Sequence, residues 1–362
     1  MRVPSRVAYG TVVALVLLLV VPVLPVVPAP AATGGDAVDA TCSRQDVQVR
    51  LDTLTSDTHR IAGWLCGRGL QPGQTVLIVS PTGLSTHAYW DWPVEKDTYS
   101  FVRHATAAGL AVFNYDRLGT GQSDRPPAAL VSVPSEAYVL HQLVQALRSG
   151  SLGGVPFDRV VLAGNSLSTL ISIYEAEFYQ DVDGLLNTGV FVGPSPVGLA
   201  KLFAAFYPAQ FDPKFAGQDI PPGYATTQPG SRNDFFHLPT ADAATVALDE
   251  ALKDTATLGE AATFGAWIPF THLVDVPVLS LMGDHDVLFC VTVCTPDGPE
   301  ATKERLFWGP ATCLELHVLP EAGHFLQLQP ASAAATASLA FDWIARRVGT
   351  DRDHPPSAPC NA

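Results

Sequence analysis

Basic residues are scarce in this chain: Lys and Arg number 21 against 35 Asp and Glu, a formal charge of −14 at pH 7. Nucleic acids and anionic membranes recruit proteins through basic patches, so this balance argues against both as partners. The sequence carries no Rossmann glycine fingerprint, P-loop or haem motif, no internal repeat and no run of like charge; no cofactor is expected. A bilayer-spanning run is missing too. The apolar stretch Val12–Val21 stops at Pro22, short of the ~20 residues a spanning helix needs, and Pro25, Pro28 and Pro30 break up the residues after it.

What the first residues do contain is Arg2 and Arg6, then that apolar stretch, then small residues at Ala29-Pro30-Ala31. This is the pattern of a secretory signal peptide. Residues 1–32 are therefore expected to be removed, leaving a secreted, extracellular protein with no stable membrane anchor. Without Arg2 and Arg6 there remain 19 basic residues against 35 acidic ones, or −16. All six cysteines, Cys42, Cys66, Cys290, Cys294, Cys313 and Cys360, lie beyond the signal. An even number in an exported chain suits disulfides, with 15 possible connectivities for six cysteines. Sequence neighbourhood favours Cys42 with Cys66 and leaves the other four unassigned. No nearby His/Cys pair completes a zinc set around Cys290 and Cys294, so no metal is expected.

Short apolar runs read as buried strands at Arg60–Leu65, Thr75–Val79, Ala111–Tyr115, Val160–Ala163, Gly189–Val192, Val278–Met282 and Leu314–Leu319. From Thr75 onward they alternate with helical stretches such as Ser135–Arg148 and Ser168–Phe178, a rhythm that predicts a mostly parallel sheet covered on both faces. Between Pro194 and about Thr271 the rhythm breaks. No strand stands out there, but aromatics abound, among them Phe203, Phe206, Phe235 and Phe236. The expected organisation is an α/β core from 33–193 and 272–350, a helical cap at 194–271 suited to an apolar ligand, and a tail at 351–362.

Chemistry points to one corner. Gly164-Asn165-Ser166-Leu167-Ser168 follows a predicted strand and opens a predicted helix. A serine on such a tight corner projects its hydroxyl from the carboxyl edge of the sheet, and the residues two before and two after it must be small. Gly164 meets that need fully and Ser168 less so; a frame centred on Ser168 would crowd Leu170. The pentapeptide alone fits a nucleophile and a simple helix N-cap equally well. Two later loops separate them. Gly283-Asp284-His285-Asp286 follows one apolar strand, and Glu321-Ala322-Gly323-His324-Phe325 follows the next. Serine, acid and histidine, in that order and each just after its own strand, form the set a serine nucleophile requires.

With GNSLS, GDHD, AGHF and the loop Asp116-Arg117-Leu118-Gly119-Thr120-Gly121-Gln122-Ser123-Asp124, the chain resembles the α/β-hydrolase-fold serine hydrolases over most of Thr75–Val348. The resemblance implies that Ser166 attacks a carbonyl carbon, His324 moves the proton, and Asp286 orients the imidazole, with Asp284 the rival acid. It also implies an oxyanion site made by the backbone N–H of Leu167 and one from the loop Ser80–Ser85. There threonine stands where relatives often have histidine, and Leu84 is the candidate donor. A serine nucleophile argues against dehalogenase or epoxide hydrolase chemistry. The expected activity is hydrolysis of an apolar carboxylic ester or lactone. Rivals on the same fold are an exported aminopeptidase, for which Asp212, Asp219, Asp234 or Glu250 would hold the substrate amine, and an acyltransferase. A non-catalytic binding protein is the rival of another class.

Overall fold

The computed structural model describes residues 40–360 apart from Trp267. The expected signal segment, 1–32, lies outside the described residues. In chain order the strands are β1 (Thr41–Val49), β2 (His59–Gly67), β3 (Thr75–Ser80), β4 (Ala111–Tyr115), β5 (Arg159–Asn165), β6 (Gly184–Thr188), β7 (Phe206–Pro208), β8 (Tyr224–Thr227), β9 (Ala256–Thr257), β10 (Val278–Gly283) and β11 (Glu315–Leu319). The helices are α1 (Lys96–Tyr99), α2 (Phe101–Ala107), α3 (Val133–Ser149), α4 (Leu167–Phe178), α5 (Pro196–Ala205), α6 (Ala243–Leu252), α7 (Leu258–Ala262), α8 (Pro299–Phe307) and α9 (Pro330–Arg347).

Eight strands form one sheet in the order β1-β2-β4-β3-β5-β6-β10-β11. From β4 to β11 every neighbouring pair is parallel; β1–β2 and β2–β4 are antiparallel. The reason lies in the runs themselves. β3, β4, β6 and β10 are buried at every position, as strands must be when helices cover both faces. Right-handed crossovers then sort the helices. The chain leaves β3 towards β4 in one direction through α2, and moves from β4 to β5 and β6 in the other through α3 and α4. Accordingly α3 packs on α4, while α1 and α2 pack on α9.

Two strands differ from expectation. The run Gly184–Val192 is apolar almost throughout, and its first half, not Gly189–Val192, pairs with β5 and β10. Gly189, at φ +63°, turns the chain out of the sheet. The second surprise is β1, whose sequence TCSRQDVQV is polar and which buries only Val49. Such an edge strand gains little from the roughly 1.5–3 kcal/mol that a buried aliphatic side chain contributes. A cross-strand disulfide compensates: Cys42 and Cys66 face each other in the β1–β2 register and are bonded. The remaining cysteines pair as Cys290–Cys294 and Cys313–Cys360.

The segment between β6 and β10 holds more than helices. Besides α5, α6 and α7 it contains the antiparallel sheet β7-β8-β9, whose strands of two to four residues are too short to show a sequence period.

Candidate active site

β5 ends at Asn165 and α4 starts at Leu167, so Ser166 is the entire corner. Its backbone sits at φ 55°, ψ −120°, a conformation that costs a non-glycine residue about 1–3 kcal/mol. Other serines at helix starts behave differently. Ser100, Ser132 and Ser195 are extended, and each side chain accepts a backbone N–H three residues on. Ser166 makes no such capping bond. Gly164 is required by close approach: a Cβ there would lie 2.6 Å from the carbonyl carbon and oxygen of Ser168 and from the nitrogen of Thr169. Ser168, where the pattern has a second glycine, is fully buried and donates its hydroxyl to the carbonyl of Pro81. That bond ties the start of α4 to the loop after β3.

His324 and Asp286 come from the loops after β11 and β10. Gly283 lets those loops close, since a Cβ there would meet the Gly323 carbonyl at 2.2 Å. The two side chains are buried, and Nδ1 of His324 lies 2.7 Å from Oδ2 of Asp286. The other Asp286 oxygen accepts the N–H of Leu288 at 2.9 Å. Asp284 is committed elsewhere, to the Ala322 N–H at 3.1 Å and to His285 at 2.7 Å. The imidazole is packed among Phe235, Phe289 and Phe325, and its backbone N–H donates to the Phe235 carbonyl at 2.8 Å. Ser166 and His324 line one cavity. Among the described residues nothing hydrogen-bonds the Ser166 hydroxyl, His324 included.

Leu167 and Leu84 line the same cavity. Neither backbone N–H has a protein acceptor among the described residues. Leu84 is held at φ 66°, and its carbonyl accepts two bonds from the insertion: the Asp254 N–H at 2.7 Å and Arg232 at 3.3 Å. Arg232 is itself fully buried, paired through two nitrogens with Asp249 at 2.6 and 2.8 Å, and bonded to the Ser85 hydroxyl at 3.1 Å. This clamp fixes the Leu84 carbonyl, on the peptide that follows the one carrying the Leu84 N–H. Sequence reasoning missed it, because a pairing across the insertion leaves no local pattern.

A second buried charge group joins the Asp116–Asp124 loop to the insertion. Arg117 pairs with Glu136 of α3 at 2.5 Å and with Glu260 of α7. Burial, with only one guanidinium between two carboxylates, pushes the Glu136 carboxyl well above its usual range. Glu260 also accepts the Thr257 N–H, closing a capping box whose T-x-x-E signature the sequence did display. Asp116 is buried and accepts the backbone N–H of His87 at 2.8 Å, a structural role for that loop.

Apart from Ser166, His324, Thr82, Thr257 and Glu260, the described cavity wall is apolar, with Leu202, Phe203, Phe206, Phe264 and Leu288 among its members. The cavity volume is about 60 Å³, small beside typical ligand pockets. It is a narrow cleft.

A sequence profile described as the alpha/beta hydrolase family matches residues 76–337. No curated protein sequence matches significantly. Similar solved structures include a hydrolase from Pseudomonas aeruginosa, 18% identical over 83% of this chain and 97% of that one, with a TM-score of 0.55. A monoacylglycerol lipase from Paleococcus ferrophilus is 14% identical over 78% and 98%, with a TM-score of 0.53. A thermophilic esterase from Thermogutta terrifontis is 16% identical over 83% and 98%, with a TM-score of 0.52. At these identities the likeness is one of fold.

Proposed function

The chain belongs to the alpha/beta hydrolase family, and from that premise we propose that it is an exported serine esterase acting on small apolar carboxylic esters. One observation carries the proposal. Ser166 occupies a strained corner without serving as a cap, at a cavity it shares with a histidine bonded to a buried aspartate.

His324 takes the proton from the Ser166 hydroxyl as the oxygen attacks the ester carbonyl carbon. The carbonyl oxygen becomes an oxyanion, received by the N–H groups of Leu167 and Leu84. Asp286 holds the ring and stabilises its cation. His324 then returns the proton to the departing alkoxide, leaving an acyl-Ser166 ester. Water, activated by the same imidazole, attacks that ester, and the acid leaves as Ser166 regains its proton.

The narrow apolar cleft supports short linear esters over macrocyclic lactones. Charge placement disfavours an aminopeptidase. Asp212 is paired with Lys253 at 2.8 Å and Glu250 with the same lysine at 2.7 Å. Glu260, the one acid among the described residues of the cavity wall, is paired with Arg117. Three disulfides support export, since such bonds persist in oxidising compartments.

The test is hydrolysis of nitrophenyl esters of rising acyl length. Acetyl and butyryl esters are expected to turn over fastest and palmitoyl esters poorly, with Ser166→Ala lowering kcat by about 10⁵-fold or more. Wild-type rates in Ser166→Ala would overturn the assignment. Acyl transfer to an added alcohol in preference to water would make the protein a transferase with the same nucleophile.

A further inference from the structure

A second cluster of functional groups lies on the other stretch of α4. Glu175 sits nine residues past Ser166, about 14 Å along the helix at 1.5 Å per residue. Beside it stand His141 of α3 and Asp181, which follows α4 on the way to β6. One ligand atom from each of the three lies within 4.8 Å of the other two.

Four of their potential ligand atoms have no protein partner among the described residues. Glu175 is fully buried, and neither of its oxygens has a hydrogen-bond partner among the described residues. Oδ1 of Asp181 is buried without one as well. Nδ1 of His141 lies 2.8 Å from Asp181 Oδ2, yet out of line for a hydrogen bond, so it too is unpartnered. Unpaired buried carboxylates are among the costliest arrangements in a folded chain, and in native structures each calls for a reason. Burial, reinforced by Asp181, pushes the Glu175 carboxyl well above its usual range.

We propose that His141, Glu175 and Asp181 bind one divalent transition-metal ion of the zinc class. An imidazole nitrogen with two carboxylates is the donor mixture such ions take, whereas calcium and magnesium prefer oxygen alone. Two carboxylates bring a charge of −2, which a dication cancels. The nearby cation is already engaged: Arg148 donates to the Asp181 carbonyl at 2.9 Å and to Asp183 at 2.5 Å. Supporting contacts hold the ligands. The His141 ring is stacked on Tyr179 with centroids 4.3 Å apart, and Gln145 donates to Asp181 Oδ2. Entry is open, because the His141 side chain is 26% exposed and that of Asp181 15%. Zinc–ligand bonds of about 2.0–2.2 Å hold tetrahedral ligand atoms roughly 3.4 Å apart, so binding would draw these atoms closer together. Three protein ligands leave the remaining position to water. The ion would fasten α3 to α4 and to the strand connection beyond it, stiffening the helix whose start carries Ser166.

The test uses the full chain, stripped with a chelator and then dialysed against Zn²⁺. Metal analysis is expected to find one equivalent of zinc more in the wild type than in Glu175→Gln. The thermal midpoint should rise by about 5 °C at a hundredfold excess over the dissociation constant, and Glu175→Gln should lose that rise. Should Glu175→Gln fail to fold, His141→Gln, at a partly exposed position, must lose both the equivalent and the shift. Zinc retained equally by the variants, or no zinc-dependent shift in the wild type, overturns the proposal and leaves Glu175 and Asp181 sharing a proton instead.

Discussion

At the scale of single residues, the candidate triad was legible because each member sits directly after a strand and the order is constrained. Its finer features were legible only in part. Leu84 and Ser166 both adopt positive φ; the tight corner of Gly164–Ser168 signalled strain at Ser166, whereas nothing in the sequence did so at Leu84, where tertiary contacts impose the conformation. The resemblance favoured Asp286 over its rival Asp284, and it is an Asp286 oxygen that lies 2.7 Å from Nδ1 of His324. An aspartate in that place holds the ring in the tautomer that accepts the serine proton. Asp286→Asn is therefore expected to fold and to lose about 10⁴-fold in kcat, as removal of an orienting carboxylate does elsewhere. Steady-state kinetics and a melting curve check both halves. Activity within tenfold of wild type would show that Asp286 does not orient the base.

Among elements, the parallel strands were the easiest to read. β3, β4, β5 and β10 are predominantly apolar runs because both faces are covered, whereas polar β1 and the two- to four-residue strands of the insertion carry no such pattern. Contacts between elements were illegible. One of them gives a pH signature. Glu315 of β11 accepts hydrogen bonds from Arg346 and Arg347 of α9 at 2.8–2.9 Å. Those guanidiniums, Arg346 foremost, hold its carboxyl down at about 2. An unfolded glutamate titrates near 4.3. The folded value is the lower, so the contribution is fully present above that pH and fades as the pH falls towards 2. The pair is partly exposed and solvent screens it, so the effect is a modest one. Glu315→Gln is expected to melt a few degrees below wild type at pH 7, with the gap narrowing steadily from pH 5 to pH 3. A gap that is constant or widens in acid would contradict the assignment.

Across residues 40–360, chain connectivity turns local signals into a site. Four loops from the carboxyl ends of β3, β5, β10 and β11 converge because those strands are parallel. The insertion between β6 and β10 lines the cavity beside them and holds the Leu84 carbonyl through Arg232. The proposed function requires that Ser166 is the group that becomes acylated. The most direct measurement treats the purified protein with a fluorophosphonate, then weighs the intact chain and maps the adduct. One adduct per chain on Ser166, absent in Ser166→Ala and much slower to form in His324→Gln, is the predicted result. An unmodified Ser166 in a protein that still cleaves esters, or an adduct on another residue, would contradict it.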